Sequence, residues 1–191
     1  MTSEKNDIRQ YAKGHRDQLQ NNPDWPDWAD QAADVFFQSI PLTEQTIISA
    51  YFPVGSELDV SPLVEILWQK GHSVCLPIIQ GSGKPLLFAQ WKKTTALEKG
   101  QMGIFEPVEK QYVTPDILIV PLLAFDTQGN RIGYGQGHYD ATIAELRQKK
   151  SILAIGMAYA EQAVLLALPT EPHDQKLDFV VTQQRIFDFR R

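Results

Sequence analysis

Residues 117–120 read Ile117-Leu118-Ile119-Val120, an apolar run with no polar position, opened by Asp116 and closed by Pro121. A strand with one wet face alternates polar and apolar side chains. An unbroken run therefore demands protein on both faces of its sheet, as in a parallel sheet covered by helices. Residues 152–157 form a second buried strand, and 46–52, 73–79, 86–91 and 179–182 also read as strands. Segments of helical period lie between them. Residues 60–70 place Val60, Leu63, Val64, Leu67 and Trp68 on one face and end at Gly71, a C-cap residue; 139–148 read as another helix. At the N-terminal end, 3–20 is a polar helix that Ser3 could cap, and 27–39 is helical after the break Pro23-Asp24-Trp25-Pro26.

Strands alternating with helices imply a three-layer α/β/α fold with a mostly parallel or mixed central sheet, which takes its ligands at the carboxyl ends of the strands. Of the 191 residues, 43% are hydrophobic, and no segment reads as a linker. A chain of this length can bury roughly 70% of its unfolded surface, so residues 1–191 are expected to form a single domain.

The clearest candidate for chemistry is Gly129-Asn130-Arg131-Ile132-Gly133-Tyr134-Gly135-Gln136-Gly137-His138-Tyr139-Asp140, a glycine-alternating stretch leading into the helix at 139. Glycines at 133, 135 and 137 allow positive φ and close backbone approach, leaving amide N–H groups able to point at oxyanions. A helix starting near Tyr139 adds its first-turn amides and positive dipole end. Arg131 brings a fixed positive charge and Asp140 a carboxylate, the pair a magnesium-nucleotide site would use. Taken alone, the alternation also fits a tight connection that merely needs unusual dihedrals. It matches neither G-x-x-x-x-G-K-[ST] nor G-x-G-x-x-G.

The formal net charge of −5 argues against a nucleic-acid or membrane binder, so any anionic ligand must meet local cations. The single cysteine, Cys75, excludes an internal disulfide and reads as a core residue of its strand. Neither an export signal nor an apolar run of membrane-spanning length is visible, so a cytoplasmic monomer is expected.

Lys5, Arg9 and Lys13 recur at i, i+4 and i+8 on the first helix, with His15 and Arg16 behind them. This is either a solvated helix face or a cationic stripe serving the glycine loop. Glu57, between a strand and a helix, is either a ligand-facing carboxylate or a dipole-compensating one, a task Asp59 could equally perform. Asp174 is either surface turn chemistry or a metal-side partner of Asp140.

Read together, these segments resemble the 5-formyltetrahydrofolate cyclo-ligases, also called 5,10-methenyltetrahydrofolate synthetases. The resemblance is carried by Lys5-x-x-x-Arg9, Tyr51-Phe52-Pro53 leading to Gly55-x-Glu57, and Gly103-Ile104-x-Glu106-Pro107. It continues through residues 116–121, the 129–140 stretch, Gly156-Met157-Ala158-Tyr159 with Gln162, and Leu168-Pro169 with Asp174, Asp178 and Thr182. It implies an enzyme that closes 5-formyltetrahydrofolate to 5,10-methenyltetrahydrofolate, with ATP as co-substrate, magnesium, and release of ADP and phosphate. It further implies phosphate contacts from Lys5 and Arg9, a nucleotide loop over Arg131, Ile132, Gly133, Tyr134, Gly135, Gln136, Gly137, His138 and Tyr139, and magnesium on Asp140 with Asp174 near it. The catalytic pair would be Arg131 and Asp140. The folate would be met by Phe52 and Glu57, and by Tyr134, Gly135, Gln136, Gly137 and His138, where nucleotide and folate meet.

Two positions depart from the pattern. Gln136 stands where Gly or Lys is frequent, so it offers hydrogen bonds and no charge. His138 stands where Tyr or Phe is usual; it can stack on a ring, but it brings a titration that they would not. On the residues alone two other classes stay open. One is a non-catalytic nucleotide- or folate-binding module that consumes neither ligand; the other is an α/β enzyme of sugar phosphates or acyl-CoA that needs no ATP.

Overall fold

The computed structural model describes residues 3–190. Along them run α1 (Ser3–Leu19), α2 (Trp28–Ser39), β1 (Ile47–Ser49), α3 (Ser61–Gln69), β2 (Ser73–Ile78), β3 (Leu87–Trp91), β4 (Leu97–Lys99), β5 (Phe105–Pro107), β6 (Ile117–Pro121), β7 (Ala124–Phe125), β8 (Arg131–Ile132), α4 (His138–Lys149), β9 (Leu153–Met157), β10 (Phe179–Val181) and β11 (Ile186–Asp188). The side chain of Ser3, the expected cap of α1, lies outside the described part.

Seven strands form one sheet in the order β11-β10-β9-β6-β1-β2-β3. The inner neighbours from β10 to β2 pair in parallel, while β11 and β3 close the edges antiparallel. The sheet is thus mixed with a parallel centre. Each central strand divides its side chains between the two faces with the period of two that a strand imposes. Ile117 and Ile119 join the cluster under α2 and α3, with Ile48, Val74, Phe36 and Leu67. Leu118 and Val120 join the cluster under α4, with Ala154, Val180, Ile143 and Leu146. This two-sided burial is why the run at 117–120 contains no polar residue.

Connectivity positions the site. From β1 the chain moves outward to β2 and β3, then returns to the other side of β1 as β6 before moving on to β9 and β10. The order reverses between β1 and β6, and the carboxyl ends of such a pair open the crevice in which α/β sheets take ligands. Here β1 is shorter than its apolar pattern suggests. Pairing ends at Ser49, Ala50 N–H still donates to the Cys75 carbonyl (2.9 Å), and the chain then leaves the sheet through Tyr51, Phe52 and Pro53.

Beyond β6 comes a small hairpin that the sequence patterning did not reveal. β7 pairs with β8, and the turn is organised by Asp126, only 1% exposed. Its Oδ1 accepts the Gln128 and Asn130 amides (2.8 and 3.0 Å), and its Oδ2 accepts Asn130 Nδ2 and the Leu168 amide (2.8 and 3.0 Å). Burial pushes the Asp126 carboxyl up, but these donors outweigh it and hold the group below the usual carboxylate range. Helix α1 packs here, with Ala12 and Ile8 against Leu123, Ala124, Ile132 and Leu168. Among the described residues no helix is long and apolar enough to cross a membrane.

Candidate active site

The glycine stretch leaves β8 and enters α4 within six residues. Gly135 (φ 86°) and Gly137 (φ 71°) occupy left-handed backbone, which side-chain-bearing residues rarely adopt. Gly137 is the N-cap, so α4 begins at His138, one residue earlier than its pattern suggests. Gly133 has no such φ, and a Cβ there would meet nothing within 4 Å. Its place in the alternation is therefore not explained by backbone strain.

The loop lines a cavity of about 410 Å³ at the carboxyl ends of β1 and β6, beside Tyr51 and Pro121. Every residue to which the resemblance gives a site role is on its wall: Lys5, Arg9, Phe52, Glu57, Arg131, Ile132, Gly133, Tyr134, Gly135, Gln136, Gly137, His138, Tyr139, Asp140 and Asp174. The cationic stripe of α1 divides. Lys5 and Arg9 face the cavity, whereas Lys13 is exposed on the solvated side.

Charge is organised in two clusters. Arg131 Nη2 donates to Asp140 Oδ1 (2.8 Å), and its Nη1 donates to the Gln175 carbonyl; Asp140 Oδ1 also accepts the Gln175 amide (2.9 Å). Next to this cluster, through Asp174, the residue before Gln175, Lys5 Nζ donates to Asp174 Oδ2 (2.5 Å) and Glu171 Oε2 (3.0 Å) while only 4% of the residue is exposed. Burial opposes the charged lysine, yet the bonds to Asp174 and Glu171 outweigh it and raise its pKa. For Asp174 burial works upward, and Lys5 with the Glu171 amide (2.6 Å) brings the group below the usual range. Arg9 Nε donates to the Gly133 carbonyl (2.9 Å), so α1 grips the glycine loop directly.

The other end of the cavity is apolar. Phe52 packs on Trp91 and Phe105 (centroids 5.1 and 5.4 Å), and Pro77, Ile79, Leu86, Met102 and Ile104 complete the wall. These aliphatic residues carried no chemical signal in the sequence. Met102 is the one non-glycine residue with positive φ (58°) among those described. Glu57, 6% exposed, stands between the two ends and accepts the Val54 amide (2.8 Å). Burial raises its pKa, with Val54, the Tyr134 hydroxyl and the charge of Arg16 opposing. Asp59 accepts the Ser61 amide (2.8 Å) at the start of α3, the helix-start task that was open to either carboxylate.

Of the two departures from the family pattern, Gln136 is exposed at the cavity mouth. His138 is 9% exposed, and its Nδ1 donates to the Lys84 carbonyl (3.1 Å), which fixes the ring against the 81–85 turn. Thr142 reinforces that junction by accepting the Leu86 amide (2.8 Å). Cys75 is buried in the core, and burial keeps its thiol protonated, so it is no nucleophile.

Residues 1–183 match the model of the 5-formyltetrahydrofolate cyclo-ligase family. The chain is 40% identical over 136 residues to a 5-formyltetrahydrofolate cyclo-ligase of Haemophilus influenzae, covering 68% of this chain and 72% of that one. It is 33% identical over 165 residues to the Escherichia coli protein of the same name, covering 83% and 90%. Among solved structures, a 5,10-methenyltetrahydrofolate synthetase of Aquifex aeolicus superposes with a TM-score of 0.77 at 26% identity, over 98% of this chain and 93% of that one.

Proposed function

The chain belongs to the 5-formyltetrahydrofolate cyclo-ligase family, and on that premise we propose that it closes 5-formyltetrahydrofolate to 5,10-methenyltetrahydrofolate, using ATP and releasing ADP and phosphate. The observation that carries this reading is the division of one cavity into a charged, glycine-lined end and an aromatic, aliphatic end, with Glu57 between them. A triphosphate suits the first end and a pterin the second.

The formyl group on N5 is amide-like, and its oxygen is a poor leaving group. In the proposed sequence the formyl oxygen attacks the γ-phosphorus of ATP, breaking the bond to ADP and giving an imidate-like phosphate ester. N10 then adds to the activated carbon, phosphate departs with the C–O bond pair, and the N10 proton is lost. Phosphoryl transfers of this kind need positioning and charge neutralisation, not a protein nucleophile. The amides of residues 133–137, Arg131, Lys5 and Arg9 would hold the phosphates in line, while Glu57 would accept hydrogen bonds from the pterin and fix its orientation.

The donor set at the charged end is hard oxygen, with Asp140 and Asp174 both on the cavity wall, and this suits magnesium. Asp140 and Asp174 would hold the ion, whose contribution is to neutralise phosphate charge. The test is to mix protein, 5-formyltetrahydrofolate, ATP and magnesium and follow the near-ultraviolet absorbance of the conjugated methenyl product. An ATP-dependent rise that Asp140→Ala lacks is expected. No rise from the folded wild type would overturn the reading.

A further inference from the structure

Helix α1 carries another basic residue towards the cavity, to which the proposed reaction gives no task. Arg16 is 1% exposed. A buried guanidinium is costly unless its donors meet acceptors. Its Nε donates to Ser56 Oγ (3.1 Å), Nη1 to the Leu122 carbonyl (3.2 Å) and Nη2 to the Tyr134 hydroxyl (2.6 Å). These acceptors come from three different walls: the loop after β1 that carries Glu57, the segment after β6, and the glycine loop. The guanidinium carbon also lies 5.6 Å from the centre of the Tyr134 ring. Ser56, which accepts from Arg16 Nε, is the residue directly before Glu57, and both the Tyr134 hydroxyl and the charge of Arg16 favour the ionised Glu57 carboxylate.

Arg9 holds the glycine loop at the Gly133 carbonyl, and the Tyr134 side chain needs a tether of its own. Tyr134 is 41% exposed and precedes a left-handed Gly135, so little else fixes its ring. Arg16 itself does not line the cavity. We propose that Arg16 is a positioning residue that couples the two ends of the cavity, holding the nucleotide-facing loop and the folate-facing Glu57 in one geometry through its bonds to the Tyr134 hydroxyl and to Ser56, the residue before Glu57. A ligand that fixes either Tyr134 or Glu57 orders the other, and the second ligand then meets a site already arranged. This inference rests on the proposed function of the cavity.

The test is the dissociation constant of 5-formyltetrahydrofolate with and without a non-hydrolysable ATP analogue and magnesium, whose ratio measures the coupling. The wild type is expected to bind folate about tenfold more tightly with the analogue present, within the usual range for coupled sites. In Tyr134→Phe, which removes the hydroxyl that Arg16 donates to and keeps the ring, the ratio falls to about one. Arg16→Met and the double variant Arg16→Met/Tyr134→Phe give the same ratio as Tyr134→Phe, because all three cut one path. Arg16→Lys, with a single ammonium in place of the fork, gives an intermediate ratio. A merely structural Arg16 would lower the melting temperature and leave the ratio unchanged, and that result overturns the proposal. A wild-type ratio of one, or an unaltered ratio in Tyr134→Phe, overturns it equally, and Tyr134→Phe carries the test if Arg16→Met does not fold. Methenyl formation by the wild type separates the two readings: turnover with unaltered coupling in the variants rejects the role of Arg16 alone, whereas absent turnover rejects the function beneath it.

Discussion

The two charged clusters beside the cavity use the same chemistry and are built in opposite ways. Arg131 and Asp140 are nine residues apart, on the strand and in the first helical turn of one strand–loop–helix unit, and Gln175 closes the pair from a single neighbouring loop. Lys5 meets Glu171 and Asp174 across 166 and 169 residues of chain, joining the first helix to a late loop. The local pair forms with its unit. The distant one exists only while α1 is docked, and contacts of that kind open first in local unfolding. Both cations already hold carboxylates, so a triphosphate bound here would share them with Asp140 and Asp174. The local cluster is thus the fixed side of the site, and the distant cluster the side able to yield.

The largest effect that could break this contrast is at Arg131. Arg131→Lys keeps the charge but loses the planar fork that spans Asp140 and the Gln175 carbonyl. Turnover should fall about 100-fold, as when a preorganised transition-state donor is removed, with little change in KM for ATP. An unchanged kcat would remove Arg131 from the fixed side. Lys5→Met, by contrast, removes the ammonium that Asp174 and Glu171 share. Because those carboxylates are partly exposed, the melting temperature should drop by only about 4 °C, and KM for ATP should rise about tenfold, equivalent to one lost charge-assisted contact. A loss confined to kcat would mean that the two clusters act alike.

What could be read in the sequence follows the same local-versus-distant division. The parallel centre was legible in the unbroken run at 117–120, because two-sided burial leaves its mark in every residue of the strand. The glycine loop and the start of α4 were legible to within a residue, because left-handed backbone selects glycine locally. Arg16 was not. A basic residue on a polar helix reads as solvated, and its acceptors lie 40, 106 and 118 residues away. Asp126 escaped for a related reason. A carboxylate beside Gly129 and Asn130 signals a turn, but only tertiary packing buries that turn under Leu168. Strand β11 and the pairs β4–β5 and β7–β8 are three residues or fewer per strand, too short for any periodicity to register.

A third carboxylate sharpens the comparison, because Glu57 is buried and accepts the Val54 amide where the other two carboxylates accept from cations. Burial raises its pKa, so ionised Glu57 works against folding: its contribution is most favourable below the unfolded carboxylate range, near 4.5, and is lost as pH rises through the higher folded value. Glu57→Gln should therefore weaken 5-formyltetrahydrofolate binding several-fold while its melting temperature at pH 7 stays at or above that of the wild type. A clear drop in melting temperature would show that Glu57, like Asp174, holds the fold together.

The smallest effect concerns the acid limb of stability, and it isolates the distant cluster. Asp174 and Glu171 have pKa values below their ordinary ones, so their contribution is present above the unfolded carboxylate range and is lost as pH falls through the lower folded values. Asp116 and Asp126 are depressed as well, so the acid limb of the wild type alone cannot be assigned to any one of them. The difference between wild type and Lys5→Met can, because those two groups are common to both proteins. The gap of about 4 °C expected at pH 7 should therefore narrow between pH 5 and pH 3 as Asp174 and Glu171 take up protons and Lys5 loses its partners. Melting curves at half-unit pH steps would measure it. A gap that persists at pH 3 would mean that the alkyl stem of Lys5, packed at the docking face of α1, and not its charge, holds the helix to the body of the protein.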